Sequence, residues 1–597
     1  MKNNNPFDHS HFIGYVNLVT PQFIKVHFPS SILMKTFTHY GEELKGGLVG
    51  NYVVIEGESY GFLGKIIELG IPEKERLELS ERSFSTKEFH PIGKVEILMS
   101  FDLFNPSKIE KGLNSLPMIG SKVFICSSNF IEGYFKNFGV KNIGAPIISL
   151  GKLTHDNKTN VELSQQALLG RHCAIVGTTG GGKSYTVSKL LESLISNNTK
   201  TIIIDPTGEY QSFNQKECVS IEITKNAFFH YSNLTISDLF VMLRPSGQVQ
   251  APKLMEAIKS LKILEILKRD TGKGEIKEIC EGEKVIGYDI RIEGENYQRI
   301  NLFRNAIKKA SELKKPFNRI YNNYLSEIES LDANFNINLL VHQLNNECVY
   351  ETEFKRKDEN DNNKGYIEKW GDKNETHLNN LVSLMLRVNN LITNKRFSEV
   401  FGFTKSKNEK GELINEIKKF YEGDNKLLRL SFEKVGYDFQ TREILANAIG
   451  RYLLESARIG TYKKKPIVLF IDEAHQFLNK KVKDEYFEST DLDSFTSIAK
   501  ECRKFGLFLC LATQMPRDIP QGTLSQMGTF IVHRLINHYD KEAIANASSS
   551  ANNDTIAFLP VLGSGEAVLM GVDFPMPIML KITIPTIKPN SETPLFK

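Results

Sequence analysis

A glycine-rich loop followed by a lysine and a hydroxyl side chain is the strongest chemical signal in this sequence of 597 residues. The pattern G-x-x-x-x-G-K-[ST] is that of a phosphate-binding loop, in which glycines let backbone N–H groups point at phosphate oxygens. Lys183 would supply positive charge at the β- and γ-phosphates, and the Ser184 hydroxyl would be a Mg²⁺ ligand. We therefore predict ATP and Mg²⁺ as cofactors. The predicted nucleotide-binding residues here are Gly177, Thr178, Thr179, Gly180, Gly181, Gly182, Lys183, Ser184 and Tyr185.

Two carboxylates after the apolar run Ile467–Ile471 form the second signal. Asp472 and Glu473 make a Walker B arrangement, in which Asp472 would hold Mg²⁺ and Glu473 would polarise the attacking water. Both are expected at the carboxyl end of a parallel strand, where α/β proteins place their sites. Asp472 to His475 also spells the DEAH box of non-ring helicases. We do not find the arginine motif that the second lobe of those helicases carries.

Two more predicted strands end in polar residues that could face the nucleotide. Asp205 ends the strand after the loop's helix, and Glu209 follows it closely. Gln514 ends the strand after the Walker B pair and could sense the γ-phosphate or the attacking water. Taken alone, residues of this kind are more often turn residues than sensors.

The elements that must position these residues follow a strand–helix–strand order. The apolar run His172–Val176 precedes the loop, Ser184–Ser196 has helical periodicity, and Ile202–Ile204 is another apolar run. This order is the βαβ signature of a parallel sheet. We therefore predict an α/β fold, with a RecA-like P-loop ATPase core, an N-terminal β-barrel and a helical insertion.

The predicted organisation has five segments. Residues 1–150 have the short, evenly spaced strands of a barrel, and residues 231–420 are polar with helical patterning. The remaining segments are the first part of the ATPase core at 151–230, its second part at 421–564, and a β-rich tail at 565–597.

Composition excludes several classes of protein. The seven cysteines are scattered without a C-x-x-C pair, which argues against a disulfide framework or a zinc site. No run of 18 apolar residues occurs and the N-terminus is polar, so we expect a cytoplasmic protein without a membrane segment. The net charge of +4 neither requires nor excludes nucleic acid, because a ring around DNA needs only a basic lining.

The order of these motifs resembles that of HerA, the hexameric DNA translocase of the HerA/FtsK class, over nearly the whole chain. The N-terminal strands are similar to the HAS-barrel of that family, and the long insertion is the least similar part. The matching segments are Leu169–His172, Asp205–Tyr210, Ile471–His475, Glu501–Gly506, Ala512–Gln514 and Gly565–Ala567.

The resemblance implies further roles. Arg503 matches the arginine finger that reaches the γ-phosphate of the neighbouring subunit, and Arg171 matches a second arginine near that interface. Asp205 and Glu209 match further acidic positions. The family usually has glycine before the finger, where this chain has Cys502. Arg534 is a further but weaker candidate for an arginine of this kind. Without the family, an ordinary solvated arginine would be the more common reading of Arg503 and Arg171.

The resemblance also implies a function. We expect a homohexamer that moves along double-stranded DNA by ATP hydrolysis. An effector protein, a nuclease or a sirtuin-like NAD-consuming enzyme, would dock on the barrel, in antiphage defence or in DNA end processing. Two alternatives remain: an ATP-gated hexameric scaffold that activates its partner with little translocation, and a conjugation-type DNA-pumping ATPase. Glu473 argues against a ring that cannot hydrolyse ATP, and the lack of a membrane anchor disfavours the pump.

Overall fold

A computed structural model describes most of the chain. Among the described residues, no helix has both the length and the apolar character needed to cross a membrane. The described residues are 6–21, 23–31, 36–39, 42–45, 49–72, 90–103, 115–137, 144–154, 158–293, 296–356, 366–403, 410–478, 481–482, 490–548, 553–574 and 577–591.

The N-terminal part is a closed antiparallel β-barrel, which confirms the predicted barrel. Its six strands close in the order β1–β2–β7–β6–β5–β8. Apolar side chains such as Ile13, Val26 and Phe62 fill its interior. A short hairpin, β3–β4, pairs separately, and helix α1 follows the barrel. These elements are β1 (Phe12–Val19), β2 (Ile24–His27), β3 (Thr36–His39), β4 (Glu42–Lys45), β5 (Tyr52–Ile55), β6 (Tyr60–Gly70), β7 (Ile92–Asp102), β8 (Lys122–Ile125) and α1 (Ser128–Asn137).

An eleven-stranded sheet forms the centre of the molecule, in the order β10–β9–β29–β28–β27–β11–β26–β23–β12–β22–β13. The seven strands from β27 to β13 are parallel, and the other four are antiparallel. The α/β class is confirmed. The strands are β9 (Ile147–Leu153), β10 (Asn160–Ser164), β11 (Cys173–Val176), β12 (Lys200–Asp205), β13 (Cys218–Glu222), β22 (Leu427–Ser431), β23 (Ile467–Ile471), β26 (Leu507–Thr513), β27 (Thr529–Val532), β28 (Glu566–Gly571) and β29 (Ile578–Ile582).

Helices cover the sheet on both faces. The helix after the P-loop, α3, buries Val187, Leu190, Leu191 and Leu194, as its periodicity predicts. The helices of the core are α2 (Gln165–Leu169), α3 (Lys183–Ser196), α11 (Leu413–Glu422), α12 (Thr441–Arg458), α13 (Ser494–Glu501), α14 (Gln521–Leu524), α15 (His538–Ala547) and α16 (Asn553–Phe558). A small pair, β24 (Lys481–Val482) and β25 (Thr490–Asp491), follows β23 in the chain.

The insertion is a mixed module and not only helical. It leaves the core at β14 (Ala227–Phe228) and returns at β21 (Gly411–Glu412), and these two strands pair with each other. Besides helices it holds a four-stranded antiparallel sheet, β15–β18, and a hairpin, β19–β20. The elements are α4 (Ile236–Leu243), α5 (Gln250–Asp270), β15 (Ile276–Glu281), β16 (Lys284–Glu293), β17 (Asn296–Phe303), β18 (Ala306–Ile307), α6 (Lys314–Asn323), α7 (Leu325–Ile328), α8 (Leu340–Asn346), β19 (Thr352–Arg356), β20 (Tyr366–Trp370), α9 (Glu375–Thr393) and α10 (Lys395–Phe401).

The two strands of the predicted C-terminal tail belong to the central sheet. β29 pairs with both β28 and β9, so the chain's end is joined to the segment that leads into the P-loop. The approach at this seam is close, because a Cβ on Gly151 would lie 2.1 Å from the Lys581 carbonyl oxygen. The five domain boundaries remain predictions.

We predict that Gly151→Ala lowers the stability of the protein by about 1–3 kcal/mol, because the strands β9 and β29 must separate to admit the methyl group. Thermal unfolding should show a lower midpoint. Gly522→Ala is the matched control, since a Cβ there meets no atom within 4 Å. Equal midpoints for the two variants would contradict the close packing of the seam.

Candidate functional site

The phosphate-binding loop joins β11 to α3 and lies against the turn that precedes β28. Gly180 and Gly182 have φ angles of 75° and 113°, in the region that favours glycine. A Cβ on Gly177 would lie 2.5 Å from the His533 Cβ, and one on Gly182 would lie 3.0 Å from the Gly565 Cα. Glycine is therefore required here by close packing as well as by backbone conformation.

A cavity of about 460 Å³ opens above this loop. Residues from the loop, from the turn after β12 and from the ends of β26 and β29 form its walls, which places it at the carboxyl edge of the parallel strands. Nine predicted site residues line it: Thr178, Thr179, Gly180, Gly182, Lys183, Ser184, Tyr185, Glu209 and Gln514.

Lys183, Asp472 and Glu473 form a buried charge cluster beside the cavity. The Lys183 ammonium donates a hydrogen bond to Glu473 Oε1 and lies 3.4 Å from Asp472 Oδ1. All three side chains are almost completely buried. The structure therefore brings together the lysine of the first motif and both carboxylates of the second.

The cluster perturbs the titration of its members. Burial lowers the pKa of Lys183, but the charges of Asp472 and Glu473 and the hydrogen bond with Glu473 outweigh it, so the pKa is raised overall. Burial raises the pKa of Asp472 to about 7, against the opposing effect of Lys183 and with the help of Glu473 and Glu209. The single positive charge of Lys183 does not balance the negative charges of the carboxylates around it.

Gln514 connects the cluster to the P-loop. Its Nε2 donates to Glu473 Oε1 at 2.7 Å, and its Oε1 accepts from Thr179 Oγ1 at 2.7 Å. On the other side, His475 Nδ1 lies 3.3 Å from Glu473 Oε2. Glu473 itself has φ and ψ of 46°, a left-handed conformation that costs a non-glycine residue about 1 kcal/mol or more. Strain of this kind is typical of functional positions.

The donor set near the cluster fits a divalent cation. Within the described part of the chain, neither carboxylate oxygen of Asp472 has a hydrogen-bond partner although both are buried. Leaving such oxygens without a donor is costly unless a cation completes the site. The Ser184 hydroxyl, next to Lys183 at the start of α3, adds an oxygen ligand of the type that Mg²⁺ prefers.

Asp205 and Glu209 have different surroundings. Asp205 is fully buried, where it accepts hydrogen bonds from the backbone N–H groups of Gly208, Glu209 and Tyr210 and from Arg429 Nε at 2.7 Å. Its contacts therefore hold the turn that carries Glu209, and they do not point to the cavity. Glu209 lines the cavity, and its buried Oε2 has no hydrogen-bond partner among the described residues.

The candidate arginines do not line the cavity of their own chain. Arg503 is exposed in the short turn Cys502–Phe505. Arg171 forms an ion pair with Asp573, with its Nε 2.7 Å from Oδ2. Arg534 is exposed, and its backbone carbonyl accepts the hydrogen bond of the Thr178 N–H.

His533, at the end of β27, is a site residue that the sequence analysis missed. It is fully buried beneath the P-loop, where its Nδ1 donates to the Glu566 carbonyl at 2.9 Å and its Nε2 accepts from Thr186 Oγ1 at 2.8 Å. Burial lowers its pKa to about 4, although hydrogen bonds with the Glu566 and Gly181 backbone act in the opposite direction. A single histidine after an apolar strand carries no motif by which it could have been found.

The neutral His533 predicts a loss of stability in acid. The unfolded chain takes up a proton below pH 6.5, whereas the folded protein resists protonation down to about pH 4, so stability falls across this window. From pH 7 to pH 5 this residue alone should cost about 2 kcal/mol. Urea unfolding at the two pH values should show a smaller difference for His533→Gln than for the wild type. The exposed His538, changed to Gln, is the control and should leave the difference unchanged.

Two segments of the chain match protein families, and both families are described as parts of HerA helicases. Residues 148–369 match the family described as "Helicase HerA, central domain", and residues 453–593 match "Helicase HerA-like C-terminal". Together these two segments span more than half of the chain.

Individual relatives have low sequence identity to this chain but match it over most of their length. A DNA double-strand break repair helicase HerA from Sulfurisphaera tokodaii is 26% identical over 553 residues, which are 89% of this chain and 88% of that protein. A probable DNA double-strand break repair helicase HerA from Methanocaldococcus jannaschii is 24% identical over 479 residues, 79% of this chain and 81% of that one. Among solved structures, a bacterial conjugative coupling protein is 14% identical with a TM-score of 0.42, covering 78% of this chain and 94% of its own.

Proposed function

This chain belongs to the HerA family of ATPases, and we propose that it works as a homohexameric ring that couples ATP hydrolysis to movement along double-stranded DNA. The observation that carries the proposal is the buried cluster of Lys183, Asp472 and Glu473 beside a cavity that the P-loop lines. Relatives matching about four-fifths or more of the chain are named DNA double-strand break repair helicases, which supports DNA as the track.

ATP binding would change the partners of Lys183. The phosphates of ATP carry more negative charge than one carboxylate, so the ammonium would turn from Glu473 to the β- and γ-phosphates. The backbone N–H groups of the P-loop and the start of α3 would hold the same phosphates. Glu473 would then keep the hydrogen bond from Gln514 and lose its cationic partner.

Mg²⁺, when bound, would neutralise phosphate charge during the reaction. Ser184 and Asp472 are the residues of this chain that would hold it. Without a cation, the pKa of Asp472 is raised to about 7. A bound cation would lower this pKa and so favour the carboxylate form of Asp472 that binds the cation.

The freed Glu473 would act on water. We propose that its carboxylate accepts a proton from the water whose oxygen attacks the γ-phosphorus, while the bond from that phosphorus to the β–γ bridging oxygen breaks. Gln514 would orient Glu473 through their hydrogen bond. Because Gln514 also accepts a hydrogen bond from Thr179, the position of Glu473 would depend on the conformation of the P-loop. The left-handed backbone of Glu473 keeps the carboxylate at the strand end from which it can reach the cavity.

A neighbouring subunit would complete the site. Arg503 is exposed and lies outside its own chain's cavity, which is what a finger acting on the next subunit requires. Arg171 would assist near the same interface when released from Asp573. Supplying the charge from another subunit makes hydrolysis depend on assembly.

The barrel would bind the effector protein, a nuclease or a sirtuin-like NAD-consuming enzyme, in antiphage defence or DNA end processing. Five large apolar side chains are exposed on one part of the barrel. There the turn that precedes β8 is held beside β1 by two hydrogen bonds, from the Val16 N–H to the Ser121 carbonyl and from the Gly120 N–H to the Val16 carbonyl. Exposed apolar groups of this kind favour protein contacts. They are Tyr15, Leu18, Leu116, Met118 and Ile119.

We predict that duplex DNA stimulates ATP turnover by the purified protein and that Lys183→Ala and Glu473→Gln abolish this turnover. Removing the phosphate-binding cation or the group that takes the water's proton should reduce the rate by at least about a hundredfold. Steady-state ATP hydrolysis at increasing DNA concentration measures both effects. Turnover that ignores DNA but responds to a partner protein would instead support the scaffold alternative.

A mixing experiment tests the position of Arg503. We predict that Arg503→Ala reduces turnover by about a thousandfold with little effect on folding, because the side chain is exposed. Mixing this variant with Lys183→Ala should restore turnover, since hybrid interfaces then combine an intact P-loop with an intact arginine. Lys504→Ala is the matched control and should stay active on its own. No recovery in the mixture would place Arg503 outside the neighbouring site.

A further inference from the structure

A second cavity, of about 360 Å³, lies in the insertion and shares no lining residue with the nucleotide cavity. Helices α5 and α6, strand β20 and the segments around Lys309 and Glu347 converge on it. Its volume falls within the range of small-molecule sites, roughly 300–1,000 Å³. The nucleotide chemistry of the core makes no use of this cavity.

A buried ion pair lies at the base of the cavity. Lys309 Nζ is 2.5 Å from Glu347 Oε2, and both side chains are almost completely excluded from solvent. Glu347 Oε1 also accepts hydrogen bonds from Ser260 Oγ at 2.6 Å and from Gln343 Nε2 at 2.8 Å. A buried ion pair is seldom more stabilising than apolar packing of the same size. This arrangement therefore suggests a use other than stability.

The charges at the cavity are arranged by depth. Lys253 and Lys314 form ion pairs with Glu256 at 2.8 Å and with Glu368 at 3.2 Å. The lysine side chains are only 12% and 15% exposed, whereas their glutamate partners are 47% and 46% exposed. In these two pairs the lysine is the more buried partner and the glutamate the more exposed one. Since Lys309 is paired with the buried Glu347, the ammonium groups of Lys253 and Lys314 are those that could accept an anion in place of their glutamates.

Aromatic rings form part of the wall. Trp370 and Tyr321 line the cavity and are partly exposed, and the Lys309 ammonium lies 5.0 Å from the centre of the Trp370 ring. Planar rings beside inward ammonium groups suit a ligand that has both an aromatic ring and an anionic group.

We propose that this cavity binds a nucleoside phosphate. Its phosphate lies among the ammonium groups of Lys253, Lys309 and Lys314, and its base stacks on Trp370 or Tyr321. The phosphate takes the places of Glu256 and Glu368, which can turn into solvent. Both glutamate side chains are nearly half exposed, so their carboxylates would be hydrated by water when they turn away from the lysines.

Trp370 is the single tryptophan of the chain, so its fluorescence reports on this cavity. The probe is AMP, titrated into the full-length protein carrying Lys183→Ala, which weakens binding at the P-loop. Excitation at the red edge of tryptophan absorption limits interference from the base. We expect a saturable change in emission with AMP and a much weaker response with adenosine, which lacks the phosphate.

Substitutions then locate the phosphate. Lys253→Ala and Lys314→Ala leave the buried Lys309–Glu347 pair intact, and each should weaken AMP binding about tenfold. The matched control is Lys268→Ala, a change on the same helix α5 at a lysine paired with Glu265 outside the cavity. It should leave the affinity for AMP unchanged.

Three results would overturn the proposal. One is emission that AMP does not change at millimolar concentration. Another is adenosine binding as tightly as AMP, which would remove the role of the ammonium groups. The third is an equal loss of affinity in Lys268→Ala, which would trace the signal to general charge. None of these results bears on ATP hydrolysis at the P-loop.

Discussion

Lys183 lies between Asp472 and Glu473 in surroundings from which water is largely excluded, and charges in such surroundings interact much more strongly than at a surface. A lysine with two carboxylates leaves an excess of negative charge that the protein itself does not balance. The raised pKa of Asp472 and the lack of hydrogen bonds to its buried oxygens, among the described residues, are the local signs of this imbalance. An added cation would balance this charge, which is why the site supports the proposal that Mg²⁺ binds beside Asp472.

The central sheet exists to keep these charges together. Register pairs Val176 with Thr513 and Ile471 with both Leu511 and Ile204, so β11, β12, β23 and β26 end within about two residues of one another. The P-loop, the Walker B pair, the Asp205 turn and Gln514 each begin where one of these strands ends. A residue inserted in any of them would move one member of the cluster along the edge of the sheet.

Some of this could be predicted from sequence because the signals were local. The strand before Asp472 is a continuous apolar run, and all five of its residues are buried. The P-loop glycines and α3 follow equally strong patterns. The sheet of the insertion could not be predicted in this way, because half of the residues of β15 are charged and only Ile276 is buried. The signs that the sequence offers are turn residues, such as Gly282 between β15 and β16, with φ of 63°, and Asn305 between β17 and β18, with φ of 62°.

Other features depend on contacts that no local pattern reports. Asp205 has the motif of a site residue, yet its carboxylate is occupied by backbone N–H groups and by Arg429, which is 224 residues away in the chain. His533 is important through packing beneath a loop 350 or so residues earlier, and packing of this kind has no periodicity. The sequence therefore identifies the chemical groups better than it identifies what holds them.

The pairing of β29 with β9 has a consequence for how the protein is made. The P-loop accepts a hydrogen bond from Gly565 at Gly181, and the Glu209 carbonyl accepts one from Asn590, so the chain's last described residues take part in its nucleotide pocket. A ribosome synthesises these residues after the barrel and the insertion, and contacts so distant in sequence form late. The barrel and the insertion are complete much earlier. A nascent chain therefore cannot complete its ATP pocket until the residues around Gly565 and Asn590 have been made.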